Sequence, residues 1–394
     1  MPWQECPVME SRREFVMLAT QDGANIRALC RRFNISPKTG YTWLTRYRAE
    51  GEAGLADRSR RPHTSPRRTP PEMVERVCAM RRDPQTRTWG GRKIHHALVR
   101  DTVADVPAPS TITRILGDAA LRRAEPDHTA TTRFVRAAPN DLWQLDFMGH
   151  RPLRQGRVHP LTLLDDHSRY LLMLTATNRE DFVTVQGLLT VGFRRWGLPW
   201  EMLTDNGSPW GHEQTRQLRT IHPRAWTRFE VWLLRLGITV THGRPAHPQT
   251  QGKVERVHGT IATDVFGTRV FADLAAAQAA FDSFRATYNH DRPHEALDYA
   301  VPADRYASST RPYPETLPEP VYADDAAVRI VTGCGAISFR GYRIQIGKAF
   351  GGQRVGVVPT AVDGQFRVRF AHQPIGLFDL RTMDKTSAQC YPCL

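Results

Sequence analysis

The sequence predicts a multidomain protein with N-terminal all-α helix-turn-helix units, a central α/β core built on a mixed sheet, and a C-terminal small β-barrel. Three observations lead there. At 394 residues the chain exceeds one ordinary hydrophobic core. Apolar residues recur at helical spacing through the first third, then turn to short apolar runs, then to short alternating strands with Gly turns. Basic charge is concentrated at the front, where residues 1–139 carry 25 Lys and Arg against 15 Asp and Glu, while residues 140–305 carry 19 against 18. A basic front on a nearly neutral middle reads as a grip for a polyanion joined to a second activity.

A hydrophobic content of 40% excludes general disorder. Cysteines at 6, 30, 78, 334, 390 and 393 form no disulfide framework in a chain this long and fit a reducing cytosol. The terminal "CYPC" lacks the second pair a zinc site needs. No charged segment followed by an apolar one opens the chain, and apolar runs such as "YLLMLTA" are too short to span a bilayer. A cytoplasmic protein without a membrane segment is expected.

Residues 8–56 read as the first helix-turn-helix unit. "ANIRALCRRF" places Ile26, Leu29, Cys30 and Phe33 on one helical face, and "NISP" makes the turn, with Ser36 as N-cap and Pro37 in the first helical position. In the next helix Trp43, Leu44 and Tyr47 face inward. That leaves Lys38, Thr39, Thr42 and Arg46 for a DNA major groove. The Arg- and Pro-rich linker 57–71 supplies Arg58, Arg60 and Arg61 to track phosphates or enter a minor groove. Residues 72–123 read as a second such unit, with Ser110 capping its third helix and Thr111, Thr113 and Arg114 as groove candidates. His95 and His96 read as packing or surface residues rather than metal ligands.

After a linker at 124–139, residues 140–305 form the α/β core. "DLWQLDFMG" is a strand interrupted by Asp146, "HPLTLLDDHSRYLLMLTAT" two strands around a turn, and "LPWEMLTDNGS" a strand ending at Asp205. Helices "REDFVTVQGLLTVGFRRWG" and "RFEVWLLRLG" alternate with these, which calls for a sheet covered on both faces. A linker at 306–325 and a β domain at 326–394 complete the chain.

The acids carry the chemistry. A carboxylate inside an apolar strand is costly unless it is paired or binds a cation. Asp146 and Asp205 end on strands that could be neighbours, and Glu255 opens the helix "GKVERVHGTI". Three carboxylates with open water positions suit Mg²⁺, which Mn²⁺ can replace.

"WQLDF", "LLDDHSRY", "LTDNGS" and "HPQTQGKVER", in this order, resemble the successive blocks of the retroviral-integrase catalytic core found in bacterial insertion-sequence transposases. "YNHDRPHEAL" is similar to the segment that commonly follows. "GLADRSRRP" and the paired helix-turn-helix units resemble the front of one such transposase group. The resemblance implies an RNase H-like core and a DDE triad, falling on Asp146, Asp205 and Glu255, that binds two Mg²⁺ ions. It implies a turn at Asn206 and Gly207 holding Asp205, DNA approach at Gln251 and a phosphate contact at Lys253. Asp165 and Asp166 match a block that is not catalytic in that family. The implied activity is transposition: recognition of terminal inverted repeats in double-stranded DNA, hydrolysis to 3′-hydroxyl ends and their transfer into target DNA by at least a dimer. In a bacterial cell such a protein would sit at the nucleoid. The alternative is a regulator derived from a transposase that binds DNA and has lost the chemistry. One departure stands out: Asp205 and Glu255 are 50 positions apart, longer than usual in the superfamily, with the surplus at 209–226.

Overall fold

The computed structural model describes residues 8–58, 68–122, 135–205, 207, 210, 226–242, 252–267 and 269–383. The chain divides into two compact units, Met1–Arg68 and Thr69–Leu394.

The first unit holds α1 (Val8–Ala19), α2 (Ile26–Arg32) and α3 (Pro37–Glu50) around Phe15, Val16, Cys30, Leu44 and Leu55. Asn25 caps α2, and Ser36 caps α3 by accepting from the Thr39 N–H at 3.1 Å. Pro37, which needs no donor there, starts α3. A Cβ at Gly40 would lie 2.5 Å from Cys30 Sγ, so only glycine lets α3 approach α2 this closely.

The second unit opens with α4 (Pro71–Arg82), α5 (Gly91–Arg100) and α6 (Pro109–Asp118), packed through Val77, Trp89, Ile94, Leu98, Ile112 and Leu116. The expected cap at Ser110 is corrected here. Pro109 already occupies the first helical turn and Ala108 the cap position, so Ser110 lies inside the helix. This bundle is joined to the core within the unit. Arg87 donates to the Thr263 carbonyl at 2.9 Å, Thr88 to Asp264 at 3.1 Å, and the His96 ring stacks on Tyr299 at 4.0 Å.

The central sheet contains β1 (Leu142–Phe147), β2 (Arg151–Pro152), β3 (Arg157–Asp165), β4 (Leu171–Thr177), β5 (Glu201–Thr204) and β6 (Thr239–His242). Its order is β4-β3-β1-β5-β6, with β2 paired to the start of β3. The β4-β3-β1 steps are antiparallel and the β1-β5-β6 steps parallel, the mixed sheet that the strand pattern predicts. Strand alternation assigns the two faces. Trp143, Leu145, Leu161 and Leu163 meet α7 (Phe182–Trp196) and α8 (Arg228–Arg235) through Val185, Leu189, Phe193 and Trp232. Val158, Leu164 and Leu174 meet α9 (Gly252–Ile261) and α10 (Leu274–His290) through Val254, Val257, Ile261 and Phe281. At about 25 cal/mol per Å² of apolar surface, each such fully buried side chain contributes roughly 1.5–3 kcal/mol.

The Pro-rich stretch read as a linker is held along its course. Arg311 donates to the carbonyls of Leu236 and Gly237 at 3.0 and 2.9 Å, and Arg235 donates to that of Leu317 at 3.0 Å. The tail forms β7 (Ala327–Ile330), β8 (Ala336–Phe339), β9 (Tyr342–Gln345), β10 (Arg354–Pro359), β11 (Gln365–Phe370) and β12 (Gln373–Asp379). The expected antiparallel β domain is present, and closure into a barrel is not seen among the described residues. Among the described residues they pair as a four-stranded antiparallel sheet, β12-β11-β10-β7, and a separate β8-β9 hairpin around one apolar core. The β8-β9 hairpin turns tightly at Arg340 and Gly341, both at positive φ. Val231 and Leu234 of α8 join that core, so α8 is apolar on both sides. No helix among the described residues is long and apolar enough to cross a membrane.

Candidate active site

Strand alternation decides where Asp146 points. Trp143 and Leu145 face α7 and α8, so Gln144 and Asp146 face α9. Asp146 sits opposite Thr162 in the β1-β3 ladder. On the other side β1 runs parallel to β5, and Asp205 is the first residue beyond β5. Val254, Val257 and Ile261 bury one stripe of α9 against the sheet, which leaves Glu255 exposed on its opening turn. His258 lies three residues on, one turn along the same face. Its Nδ1 is 3.8 Å from Asp146 Oδ2, which fixes the rotation of the helix above the strand.

Asp146 feels the charges of the other two acids. Burial pushes the Asp146 carboxyl up to about 7, and the negative charges of Asp205 and then Glu255 add to the rise. Burial, with Arg151 nearby, pushes His258 down to about 4, so it faces Asp146 as a neutral ring. His258 Nε2 is 2.8 Å from Thr162 Oγ1, and that hydroxyl donates to the Asp146 carbonyl at 2.9 Å. The hydroxyl therefore accepts from Nε2–H, and Nδ1 presents its lone pair toward Asp146. Among the described residues no Lys or Arg is ion-paired to any of the three acids. Carboxylate oxygens are the ligand type that hard divalent cations take. Among the described residues no three acidic, His or Cys side chains converge closely enough to enclose an ion by themselves.

Asp205 is held by Gly207, named above as a turn residue, and by residues that the sequence reading passed over. The Gly207 N–H donates to its Oδ1 at 3.0 Å, and a Cβ at Gly207 would meet Oδ2 at 3.0 Å. The Trp210 indole N–H donates to the same Oδ1. Trp210 is 1% exposed and stacks on Phe147, next to Asp146, with centroids 5.2 Å apart. Behind it Thr227 Oγ1 donates to the Trp210 carbonyl at 3.0 Å and caps α8 in a reciprocal box with the buried Glu230. Glu230 pairs with His242 Nε2 at 2.9 Å, and His242 Nδ1 lies 2.9 Å from the Asp205 carbonyl. The signal that could have found Trp210 is its position five residues after Asp205, at the mouth of the insertion. Both described ends of that insertion are anchored, Trp210 in the core and Trp226 against Phe350 at 5.9 Å.

Asp165 and Asp166 are fully buried and structural in their contacts. Asp165 accepts from the N–H groups of Asn140 and Ser168 at 2.8 Å and from Ser168 Oγ at 2.6 Å. Asp166 accepts from the Arg136 N–H at 2.9 Å, from Gln144 at 2.8 Å and from Lys253. Lys253, expected at a phosphate, thus has its ammonium on a buried carboxylate. Burial and the charge of Arg169 pull that ammonium down to about 8 against the attraction of Asp166.

In the first unit Lys38, Thr39 and Thr42 are exposed on α3 and Arg46 is half-buried with its guanidinium 5.1 Å from the Trp43 ring centre. Thr39 Oγ1 is 2.8 Å from Ser36 Oγ, and Thr42 Oγ1 donates to the Lys38 carbonyl at 2.8 Å. Arg58 pairs with Glu50. In α6 Arg114 is exposed, Thr111 half-buried, and Thr113 donates to the Pro109 carbonyl at 2.9 Å beside Gly91. His95 Nδ1 bonds the Pro107 carbonyl at 2.9 Å. Arg60, Arg61, Asn206 and Gln251 lie outside the described residues, as does "CYPC".

Several segments of the chain are similar to known proteins. Residues 136–248 and 236–302 match models of an integrase core domain, and 326–386 match the C-terminal domain of IS481 family transposases. Residues 11–63 match a helix-turn-helix domain and 39–116 a homeodomain-like domain. The insertion element IS407 uncharacterized 31.7 kDa protein of Burkholderia multivorans is 25% identical over 224 residues, 56% of this chain and 76% of that protein. The insertion element IS476 uncharacterized 39.2 kDa protein of Xanthomonas euvesicatoria is 26% identical over 174 residues, 44% of this chain. The match spans 46% of that relative, about half its length. Among solved structures, the HTLV-2 integrase catalytic core domain in complex with magnesium is 15% identical, with a TM-score of 0.30 over 43% of this chain and 99% of that one. A simian T-cell lymphotropic virus intasome chain is 17% identical, with a TM-score of 0.35 over 74% of this chain and 98% of that one.

Proposed function

We propose, for a chain that carries the integrase core and helix-turn-helix domains of an insertion-element transposase, that it cleaves DNA at the element's ends and joins the resulting 3′-hydroxyls to target DNA. The observation that supports this reading is the placement of Asp146 on β1, Asp205 directly after the neighbouring parallel strand β5, and Glu255 on α9, whose His258 reaches to 3.8 Å from Asp146. Two Mg²⁺ ions held by these carboxylates would supply the charge that activates a water or a 3′-hydroxyl and steadies the departing oxygen of an in-line displacement. The protein's own part is positioning. Asp146 comes from the middle of the sheet and has the least freedom to move. Asp205 is fixed through Oδ1, and Glu255 enters from the helix that His258 orients.

The site uses no protein nucleophile in this reading, so no covalent protein–DNA intermediate forms. The helix-turn-helix units would grip the terminal inverted repeats, with Lys38, Arg46 and Arg114 on phosphates and base edges and the threonines beside them setting register. Arg58, Arg60 and Arg61 would follow the backbone between the units, and Gln251 would approach DNA near Glu255. Joining two ends calls for at least two protomers on DNA.

The test uses a labelled duplex carrying the element's terminal repeat, scored for 3′-end cleavage and joining to plasmid. Cleavage that needs Mg²⁺ and disappears in Glu255→Gln, with repeat binding retained, is the expected result. Repeat binding without cleavage in any divalent metal would leave a DNA-binding regulator.

A further inference from the structure

We infer that Trp210 is a positioning residue for the metal-binding form of Asp205, acting through its indole N–H rather than through packing alone. The inference rests on the proposed function and goes beyond the triad.

Asp205 follows a short strand and opens a turn, so its side chain has no neighbouring strand to define its rotamer. Two donors define it instead, the Gly207 N–H and the Trp210 indole N–H, both on Oδ1. Oδ2 accepts no hydrogen bond among the described residues and is the oxygen left to face a cation. Trp210 is itself enclosed. It is 1% exposed, its ring lies between Phe147 and Phe229 with centroids 5.2 and 6.0 Å away, and its carbonyl is held by Thr227. Phe147 directly follows Asp146 in β1, so one indole ring spans the two strands that carry the two aspartates.

A path of hydrogen bonds closes around the same residue. From the Asp205 carbonyl it runs through His242, Glu230 and Thr227 to Trp210, and back to the Asp205 carboxylate. Each member is at least half-buried, and Glu230 is 1% exposed. Packing alone would be satisfied by phenylalanine at 210. The indole adds a buried donor, and a buried donor aimed at a carboxylate gives a strong, charge-assisted bond. Groups that orient a metal ligand in this way alter affinity or activity about 10–100-fold when removed.

The experiment compares wild type, Trp210→Phe and Trp232→Phe as full-length proteins. Trp232 belongs to the same aromatic cluster and has no hydrogen bond to Asp205, so its variant reports lost packing alone. Mn²⁺ binding is measured directly by calorimetry, and Mg²⁺ dependence by terminal-repeat cleavage, alongside repeat affinity and melting temperature. The expected result is Mn²⁺ binding about tenfold or more weaker in Trp210→Phe, half-maximal cleavage displaced to higher Mg²⁺ by a similar factor, and repeat affinity unchanged. Trp232→Phe should melt lower while keeping the wild-type metal dependence. Trp210→Phe with wild-type Mn²⁺ affinity, or both variants displaced equally, overturns the inference. If wild type itself binds no Mn²⁺ and cleaves nothing, the proposed function fails instead. Should Trp210→Phe not fold, 4-fluorotryptophan labelling with Mn²⁺ titration decides, because a fluorine signal from residue 210 that ignores the ion contradicts the assignment.

Discussion

His258 Nδ1 stands 3.8 Å from Asp146 Oδ2, while its Nε2 is 2.8 Å from Thr162 Oγ1. These contacts clamp α9 over β1 and make the placement of Glu255, one turn earlier, depend on a ring that reaches from the helix to the sheet. His258→Ala should therefore lower the cleavage rate about tenfold or more, through misplacement of its neighbours, and leave repeat affinity intact. Kinetics with saturating repeat duplex would separate the two. A variant with reduced repeat affinity and an unchanged rate would contradict the clamp.

The raised Asp146 carboxyl gives the metal-free protein a definite pH signature. Its folded value of about 7 exceeds the ordinary carboxyl value of 3.8, so between those pH values the folded state binds the proton more tightly than the unfolded chain. Its contribution to stability is thus present below about pH 4 and declines as pH rises toward 7. His258 works the other way. Its folded value of about 4 lies below 6.5, so its neutral burial favours folding above pH 6.5 and is lost as pH falls toward 4. Asp146→Asn should remove the first effect, so that the loss of melting temperature between pH 5 and 8 shrinks relative to wild type. Adding Mg²⁺ at pH 8 should stabilise wild type by several degrees and the variant hardly at all, measured by calorimetric melting in EDTA and in metal.

Lys253 is predicted to matter for folding before it matters for DNA. It is ion-paired to Asp166, whose side chain is 0% exposed. Lys253→Ala strands a buried carboxylate, a change that typically costs about 3–5 kcal/mol. Denaturant unfolding should show that loss, and Lys253→Ala/Asp166→Asn should recover part of it. If the single variant is fully stable and instead lowers the salt dependence of DNA binding, the ammonium serves phosphate and not Asp166.

On α3, Lys38 is exposed and has no ion pair among the described residues, while the Thr39 and Thr42 hydroxyls already bond within the helix. Lys38→Ala should weaken binding to all sequences alike and reduce the slope of affinity against salt by about one. Fluorescence anisotropy across a salt series, with repeat and scrambled duplexes, checks this. A loss confined to the repeat would make Lys38 a base reader.

The legible parts of this chain are those with local signals. Ser36 and Pro37 start α3 because capping and the fixed proline φ act within one turn. Asp146 betrayed itself as a polar residue in an apolar strand, and strand parity alone turns it toward α9. Ser110 misled because a good N-cap residue was overruled by Pro109 just before it. What stayed hidden depends on long-range closure. Trp210 reads as an apolar residue entering a loop, and its place five residues after Asp205 signals nearness without showing that its N–H meets the carboxylate. Glu230 and His242 are 12 positions apart and meet only because β6 returns beside α8. Lys253 looked like a phosphate contact because Asp166 lies 87 positions earlier, and only the β3-β1 pairing brings it beneath α9.

The most direct test of the central claim replaces one carboxylate by a softer ligand. Asp146→Cys, assayed for 3′-end cleavage of terminal-repeat duplex, should be inactive in Mg²⁺ and regain activity in Mn²⁺, which tolerates thiolate far better. Wild-type cleavage by this variant in Mg²⁺ would contradict a metal-binding role for Asp146 and, with it, the assignment of the three acids to one catalytic site.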